Sequence, residues 1–144
     1  HWYNLGARTF ALEPPTQPQH ATLGVLLALG LECLERAGEE NVRLVPTTPA
    51  QILARLFAVA ASGGPHEGYE GAYGRLHAWQ SLGALSEAAP DESLARVVTL
   101  AKACHWFHFD AETEWFYRVG WDVGVVALRP DGASLAVLAA TATD

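Results

Sequence analysis

The chain of 144 residues contains no methionine, only two cysteines, no basic run and no long apolar stretch. It begins at His1 without an initiator, so we expect a fragment of a longer protein. The longest uncharged apolar stretch, 21–31, is far shorter than the ~20 residues that a membrane-spanning helix needs. It follows Glu13 and two prolines instead of the basic segment of a signal peptide. The sequence therefore predicts no contact with a membrane and no secretion.

The two cysteines, Cys33 and Cys104, lie far apart in helix-like segments. Small secreted domains pair their cysteines into a disulfide framework, whereas isolated cysteines in apolar segments usually act as small buried side chains. We therefore predict a cytoplasmic protein.

Basic residues are few, with nine Lys and Arg against sixteen Asp and Glu and a formal charge of −7. A net negative field repels a phosphate backbone, so nucleic acid is excluded as the expected partner. A hydrophobic content of 50% is ample for a core, and this length fits one domain.

The clearest structural pattern lies at the C-terminus, where two apolar runs flank Pro130-Asp131-Gly132. Odd positions from Trp115 to Ala127 are apolar and even positions are largely polar, the period of a strand with one buried face. The sequence predicts a β-hairpin over about 114–129 and 133–143.

Helical patterns precede the hairpin. We predict a central buried helix over 21–37 that ends at a left-handed Gly38, and a second helix that starts at the capping box 48–51. A third is predicted over about 69–85, and a fourth over about 91–105, extending to His108 if the helix lasts that long. Residues 42–45 form a short strand candidate.

The fold prediction combines these elements. Residues 1–20 are interpreted as an N-terminal arm or edge strand with a proline-rich linker, because proline fixes its own φ and restricts its predecessor. Residues 21–144 are interpreted as a single α+β domain. About four helices would pack on one face of a small antiparallel sheet that contains the C-terminal hairpin.

The runs WDVGVVALRPDGASLAVLAATATD and AYGRLHAWQSLGAL resemble an uncharacterised bacterial domain family of unknown function. The resemblance covers the second half of the chain. It implies no activity, cofactor or site residue.

A chemically dense cluster occupies 104–110, with Cys104, His105, His108 and Asp110 close together. On a helix two of these side chains would share one side and could ligate a metal. A zinc site normally needs two separated ligand pairs, so we predict no metal and no cofactor. A nucleophilic Cys104 is disfavoured at the C-terminal end of a helix, and histidines that help to end the helix are the preferred interpretation.

Polar and aromatic residues of the predicted first hairpin strand form the second candidate site. Arg118 and Asp122 lie on its even face and are interpreted mainly as cross-strand partners, with polar-ligand binding as the alternative. Phe116 lies on the same face and would expose its ring unless another element covers it. With Trp121, these residues are the predicted binding set.

The glycine-rich segment 63–71 precedes a helix, as phosphate-binding loops do. It lacks the Gly-Lys-Ser/Thr ending and contains two glutamates, so nucleotide binding is rejected.

The sequence contains no recognisable catalytic grouping. The leading functional prediction is a non-catalytic protein-interaction or assembly domain that contacts another protein or a second copy through apolar and aromatic surface near the hairpin. One alternative is a small hydrolase or metal-dependent enzyme using His105, His108, Asp110 and Asp122. A second alternative is a small-molecule sensor with an aromatic pocket.

Overall fold

The computed structural model of the protein describes residues 2–61 and 72–143. Within them lie four α-helices and one five-stranded antiparallel sheet. The strands are β1 (Tyr3–Ala11), β2 (Val42–Thr47), β3 (His105–Ala111), β4 (Trp121–Leu128) and β5 (Ser134–Ala142), and the helices are α1 (Leu23–Ala28), α2 (Pro49–Ala61), α3 (Ala72–Leu85) and α4 (Leu94–Ala103). The strand order β1-β5-β4-β3-β2 leaves β1 and β2 as the two edges. The α+β class with a C-terminal hairpin is confirmed.

The hairpin is formed by β4 and β5, paired from Trp121 opposite Ala142 to Leu128 opposite Leu135. Its turn is closed by the Gly132 N–H, which donates to the Arg129 carbonyl at 2.9 Å. Gly132 has φ +69°, a left-handed conformation that side chains disfavour, and Pro130 supplies the fixed φ that the start of the turn requires. The Pro-Asp-Gly signal therefore located the turn correctly.

The first hairpin strand is shorter than predicted, because residues 114–120 lie in a connection outside β4. Arg118 adopts φ 57°, which a strand does not tolerate, and its N–H donates to Asp122 Oδ1 at 3.3 Å. The side chain of Asp122 thus stabilises a turned backbone immediately before the strand. The alternation from Trp115 to Gly120 was accidental.

The predicted fourth helix ends at Ala103, and 105–111 form the strand β3. The Trp106 indole N–H donates to the Ala101 carbonyl at 2.7 Å and satisfies one of the last carbonyls of α4. The prediction that His105 or His108 ends this helix was wrong. Aromatic residues on both sides of β3 are buried by the layers above and below the sheet, which favours a strand.

The predicted helix over 21–37 is also wrong in length. Only α1 is helical, and Gly30 follows it with φ +69°. A 3-10 turn at Glu32–Leu34 then buries Cys33 and Leu34. Gly38 has an extended φ of −100° and does not end a helix. Burial of Cys33 and Leu34 against the sheet outweighs the helical propensity of this segment.

Helices cover both faces of the sheet, whereas the sequence predicted that all of them pack on one face. The difference is α1, which packs on the face opposite to α2, α3 and α4. On the first face, α2, α3 and α4 bury a core that includes Ile52, Leu82, Val97, Trp106, Val125 and Ala127. On the second face, α1 and the 3-10 turn at Glu32–Leu34 bury a core that includes Leu26, Cys33, Phe107, Phe109, Val126 and Val137. Successive side chains of β3, β4 and β5 alternate between the two cores.

The N-terminal segment is an edge strand, one of the two structures predicted for it. β1 pairs antiparallel with β5 over nine residue pairs, from Tyr3 opposite Ala142 to Ala11 opposite Ser134. After it, the Thr16 N–H donates to the Gly132 carbonyl at 2.9 Å, which ties the proline-rich segment to the hairpin turn. The opposite edge, β2, contains Pro46, whose missing N–H is tolerated there.

Candidate functional site

The four candidate catalytic residues do not meet in one cleft. His108 and Asp110 alternate onto the first face of β3, whereas Asp122 shares the second face with Val126. His105 is exposed at the start of β3, opposite Leu128 and far along the strand from Asp110. The sheet itself therefore separates Asp122 from the histidine and aspartate of β3.

Asp122 has a defined role in the connection before β4. Its Oδ1 accepts a hydrogen bond from the Thr141 hydroxyl at 2.6 Å and another from the Arg118 N–H. Thr141 is fully buried, and its Oγ1 accepts from the Tyr117 N–H at 3.0 Å. This network holds the connection against β5, so the carboxylate acts locally as a backbone anchor.

The remaining members of the predicted binding set lie in three different environments. Phe116 is 3% exposed and packs edge-on against Phe109 and Trp115, so the 3-10 turn region and the sheet cover its ring. Arg118 is exposed, and Trp121 is half-buried on the first face. These residues do not form one continuous surface patch.

Two buried nitrogens on the first face, His108 Nδ1 and Trp121 Nε1, have no hydrogen-bond partner among the described residues. Nearby, Arg55 on α2 bridges the two strands: its Nη2 lies 3.4 Å from the Asp122 carbonyl and 3.7 Å from Asp110 Oδ1. Both residues of this ion pair are solvent-exposed to a large degree, so its contribution to stability is small.

Both thiols are buried and unreactive by environment. Burial raises the pKa of the Cys33 thiol to about 11 and also raises the pKa of Cys104, against a smaller lowering by Arg129. No group of three or more His, Cys, Asp or Glu side chains within the described ranges is arranged to hold a metal ion. The glycine-rich segment 63–71, which contains His66 and Glu67, lies outside the described residues.

A second candidate surface is the edge strand β1. Trp2 is 71% exposed and Leu5 is 58% exposed, and Ala7 and Thr9 are also exposed. Leu5, Ala7 and Thr9 lie on the first face, beyond the area that the helices bury. Isolated exposed apolar residues are common, but here they follow one strand that has no paired strand on its outer side among the described residues.

The direction of the backbone groups follows from the bonds at the two ends of β1. Trp2 accepts from the Thr143 N–H and the Leu12 N–H donates to Ala133, so even-numbered residues bond to β5. By the alternation of a strand, Leu5, Ala7 and Thr9 direct their N–H and C=O groups outward. We call these three residues the edge surface.

The edge surface lacks the features that usually protect a sheet edge. Charged side chains, prolines and bulges normally prevent an exposed strand from pairing with another chain. Leu5, Ala7 and Thr9 are uncharged, β1 contains no proline, and its pairing with β5 is continuous. The strand is therefore available for main-chain pairing.

Two concave regions flank β1. On the second face lies a pocket of about 610 Å³, here called the second-face pocket, whose floor and walls are formed by Gly6, Arg8, Leu27, Glu32, Cys33, Glu35, Arg36, Trp115, Val137 and Ala139, with others. In the described part of the chain Arg8, Arg36, Glu32 and Glu35 form no ion pair. Arg8 instead lies over the Phe10 ring, 4.6 Å from the ring centroid, so Glu32, Glu35 and Arg36 are the charges that a binding partner could pair with.

The region on the first face is a smaller groove of about 250 Å³ between β1 and α3. Small and apolar side chains line it, among them Ala7, Thr9, Ala84, Leu85, Ala136 and Leu138. We call it the α3 groove. It is bordered on its outer side by the edge surface.

Sequence reasoning did not identify the edge surface or the second-face pocket. The sequence did contain a signal for the edge surface, because the odd-numbered positions from Leu5 to Ala11 are all uncharged. The pocket had no such signal, because Trp115, Arg36 and Gly6 come from distant parts of the sequence.

Fold and surface together define an α+β protein with a five-stranded antiparallel sheet that helices cover on both faces and that has β1 and β2 as its edges. The model of a family of unknown function (DUF6183) matches residues 2–144, so the chain belongs to that family. The match spans the whole chain and not only the half on which the resemblance was based. No curated protein and no solved structure matches the chain. None of the described helices has the length and apolar character needed to cross a bilayer.

Proposed function

We propose that the protein is a non-catalytic interaction domain whose contact surface is the free edge of β1. The observation that carries this proposal is the uncharged, exposed edge surface, whose outward backbone groups can pair with an extended segment of another polypeptide. Main-chain hydrogen bonds provide affinity in such strand addition, and side-chain pockets beside the strand provide specificity. The second-face pocket and the α3 groove lie in those positions.

The location agrees with the predicted apolar surface near the hairpin, because β1 pairs directly with β5. It differs in its residues: Leu5, Ala7 and Thr9 replace Phe116, Trp121, Arg118 and Asp122 as the proposed contact set. Separation of Asp122 from His108 and Asp110 by the sheet, with His105 exposed at the start of β3, supports a non-catalytic role. The charge of −7 favours a protein partner over nucleic acid.

We also propose that the protein works in a cytoplasm. Both cysteines are free and buried, as is usual for proteins of a reducing compartment. An oxidising compartment would favour a disulfide, which neither cysteine forms. The family resemblance in the second half of the chain favours a bacterial source.

Strand addition can be measured with a fluorescent peptide that has the sequence of residues 2–12, used as an extended-strand probe against the intact protein. We expect saturable binding by anisotropy. Leu5→Lys should weaken it at least about tenfold, because a charge is placed on the edge that must pair. Leu94→Lys is the matched control, since Leu94 is 57% exposed and lies on α4, away from the edge. Absence of binding to a monomeric protein, whose β1 edge is not occupied by a second copy, or equal loss in both variants, would contradict the proposal.

Small-molecule binding is the second candidate function, favoured by the second-face pocket. Its volume lies within the range of about 300–1,000 Å³ typical of ligand sites, and Trp115 provides an aromatic wall. Gly6→Val would place side-chain atoms beside Trp115, because a Cβ at Gly6 already lies 3.9 Å from that ring. A thermal-shift screen should then give hits with the natural chain that Gly6→Val loses.

A further inference from the structure

Resting on the proposed function, we infer that the partner at the edge is a second copy of this chain, paired β1 to β1 about a two-fold axis at Ala7. Antiparallel pairing of two identical strands gives an isologous interface, in which each contact occurs twice. The two sheets would then join into one continuous sheet of ten strands, five from each copy. Four observations on β1 and its surroundings support this partner and this register.

The first observation is the set of outward backbone groups. Leu5, Ala7 and Thr9 all direct their N–H and C=O groups away from β5. In antiparallel pairing, two residues whose groups point toward each other exchange both hydrogen bonds. An axis at Ala7 sets Ala7 opposite itself and Leu5 opposite Thr9 of the second copy, so all three residues bond.

The second observation is charge. Arg8 is the charged residue of β1, and an axis shifted by one residue toward the C-terminus, to Arg8, would place it directly opposite its copy. Like charges in that position destabilise a sheet. The axis at Ala7 instead sets Arg8 opposite Gly6 and gives the longest overlap, residues 3–11 against 11–3.

The third observation is the second-face pocket. Gly6 forms part of its floor, and Trp115, Glu32 and Glu35 form part of its walls. Within one chain the Arg8 guanidinium lies over its own Phe10 ring, 4.6 Å from the ring centroid. With Arg8 of the second copy opposite Gly6, this guanidinium can reach Glu32 and Glu35, which form no ion pair in the described part of the chain although Arg8 and Arg36 also line the pocket. The missing side chain of Gly6 leaves room for it.

The fourth observation is the α3 groove. Thr9 borders the groove, and Leu5 of the second copy would lie opposite Thr9 on the first face. An apolar side chain that is 58% exposed in one chain would then be covered by Ala84 and Leu85 of the other. The charged contact on one face and the apolar contact on the other both repeat by symmetry.

Cysteine cross-linking tests the register. Ala7→Cys, Leu5→Cys and Thr9→Cys are made separately in the full chain and oxidised under mild conditions. Ala7 faces its copy at a Cα separation of about 5.5 Å, within the range that a disulfide spans. Thr9 and its copy would lie roughly 13 Å apart along the strand, as would Leu5 and its copy. The two buried native thiols, with raised pKa values, do not compete.

Of the three cysteine variants, we expect only Ala7→Cys to form a disulfide-linked dimer. By light scattering, we expect the natural chain and Leu94→Lys to be dimers and Leu5→Lys to be a monomer. Cross-linking of Leu5→Cys or Thr9→Cys in place of Ala7→Cys would overturn the register. A monomer that still binds the residue 2–12 peptide would overturn the second copy while leaving the proposed function intact. A monomer that binds no peptide would overturn both.

Discussion

At the scale of single residues, the two left-handed glycines have different roles that a substitution can separate. Gly30 and Gly132 both have φ +69°. A Cβ on Gly30 meets nothing within 4 Å, whereas a Cβ on Gly132 would overlap the Thr16 carbonyl oxygen. The backbone conformation is thus the only cost at Gly30, and packing adds to it at Gly132.

We predict that Gly30→Ala lowers the free energy of unfolding by about 1 kcal/mol, the usual cost of a left-handed residue. Gly132→Ala should lower it by roughly 2–4 kcal/mol, because the docked segment at Thr16 must move as well. Urea denaturation followed by circular dichroism measures both. Equal losses would mean that the contact between Thr16 and the hairpin turn contributes nothing.

Asp122 is the second residue for which a direct prediction follows. Asp122→Ala removes two hydrogen bonds and leaves the buried Thr141 hydroxyl without its acceptor, so we expect a loss of about 1–3 kcal/mol in unfolding free energy. Asp122→Asn retains an acceptor oxygen and should lose less. Asp131→Ala is the control, because Asp131 accepts one exposed bond from the Ala133 N–H. An Asp122→Ala protein of unchanged stability would favour a ligand-binding role over anchoring.

At the scale of elements, the junction between α4 and β3 shows where sequence reasoning succeeds and where it fails. The N-terminal part of α4 follows local rules: Ser93 Oγ accepts from the Arg96 N–H at 3.1 Å, a standard cap. The end of the helix depends on Trp106, whose indole reaches back to Ala101 only because β3 turns away. Local propensity cannot encode that turn.

We predict that Trp106→Phe lowers the unfolding free energy by about 1 kcal/mol, since the Ala101 carbonyl loses the indole N–H and keeps only the Cys104 N–H, at 3.2 Å, as a donor. Trp121→Phe serves as a comparison with the same change of side chain. Trp121 Nε1 has no partner among the described residues, so its removal costs no hydrogen bond. Chemical denaturation of both variants should show the larger loss for Trp106→Phe, and the reverse order would refute the capping role.

The strands divide in the same way. The hairpin turn, the start of α2 and the short strand β2 were predictable, because each rests on residues adjacent in sequence, such as the Gln51 N–H that donates to Thr48 Oγ1 at 3.2 Å. The segment 114–120 was not, since its alternation matches a strand while Arg118 and Asp122 fix a turn. An alternating pattern of apolar and polar residues shows which side chains can be buried. It does not show whether the backbone of the segment pairs with another strand.

At the scale of the whole molecule, one sheet separates two cores, and each core contains one cysteine. Cys104 belongs to the first core and Cys33 to the second. Because β3, β4 and β5 contribute alternate side chains to both cores, loss of either core exposes the strands of the other. The two layers should therefore unfold together, as expected for a domain of this size.

We predict that Ile52→Ala in the first core and Leu34→Ala in the second each lower the unfolding free energy by about 2–5 kcal/mol. In both variants Cys33 and Cys104 should become reactive to a thiol reagent in the same urea transition. Pulsed alkylation with mass spectrometry measures the two thiols separately. Earlier exposure of the thiol in the mutated core alone would show that the layers unfold independently.

The sequence by itself determined the α+β class, the hairpin and its turn, and the cap of α2, because these depend on contacts between residues close in the chain. Only the tertiary structure decided the ends of α1 and α4, the separation of Asp122 from His108, and the open edge of β1. Those features depend on which surfaces meet when distant segments pack. Burial on the two faces of the sheet, not local propensity, selects among the conformations that each segment allows.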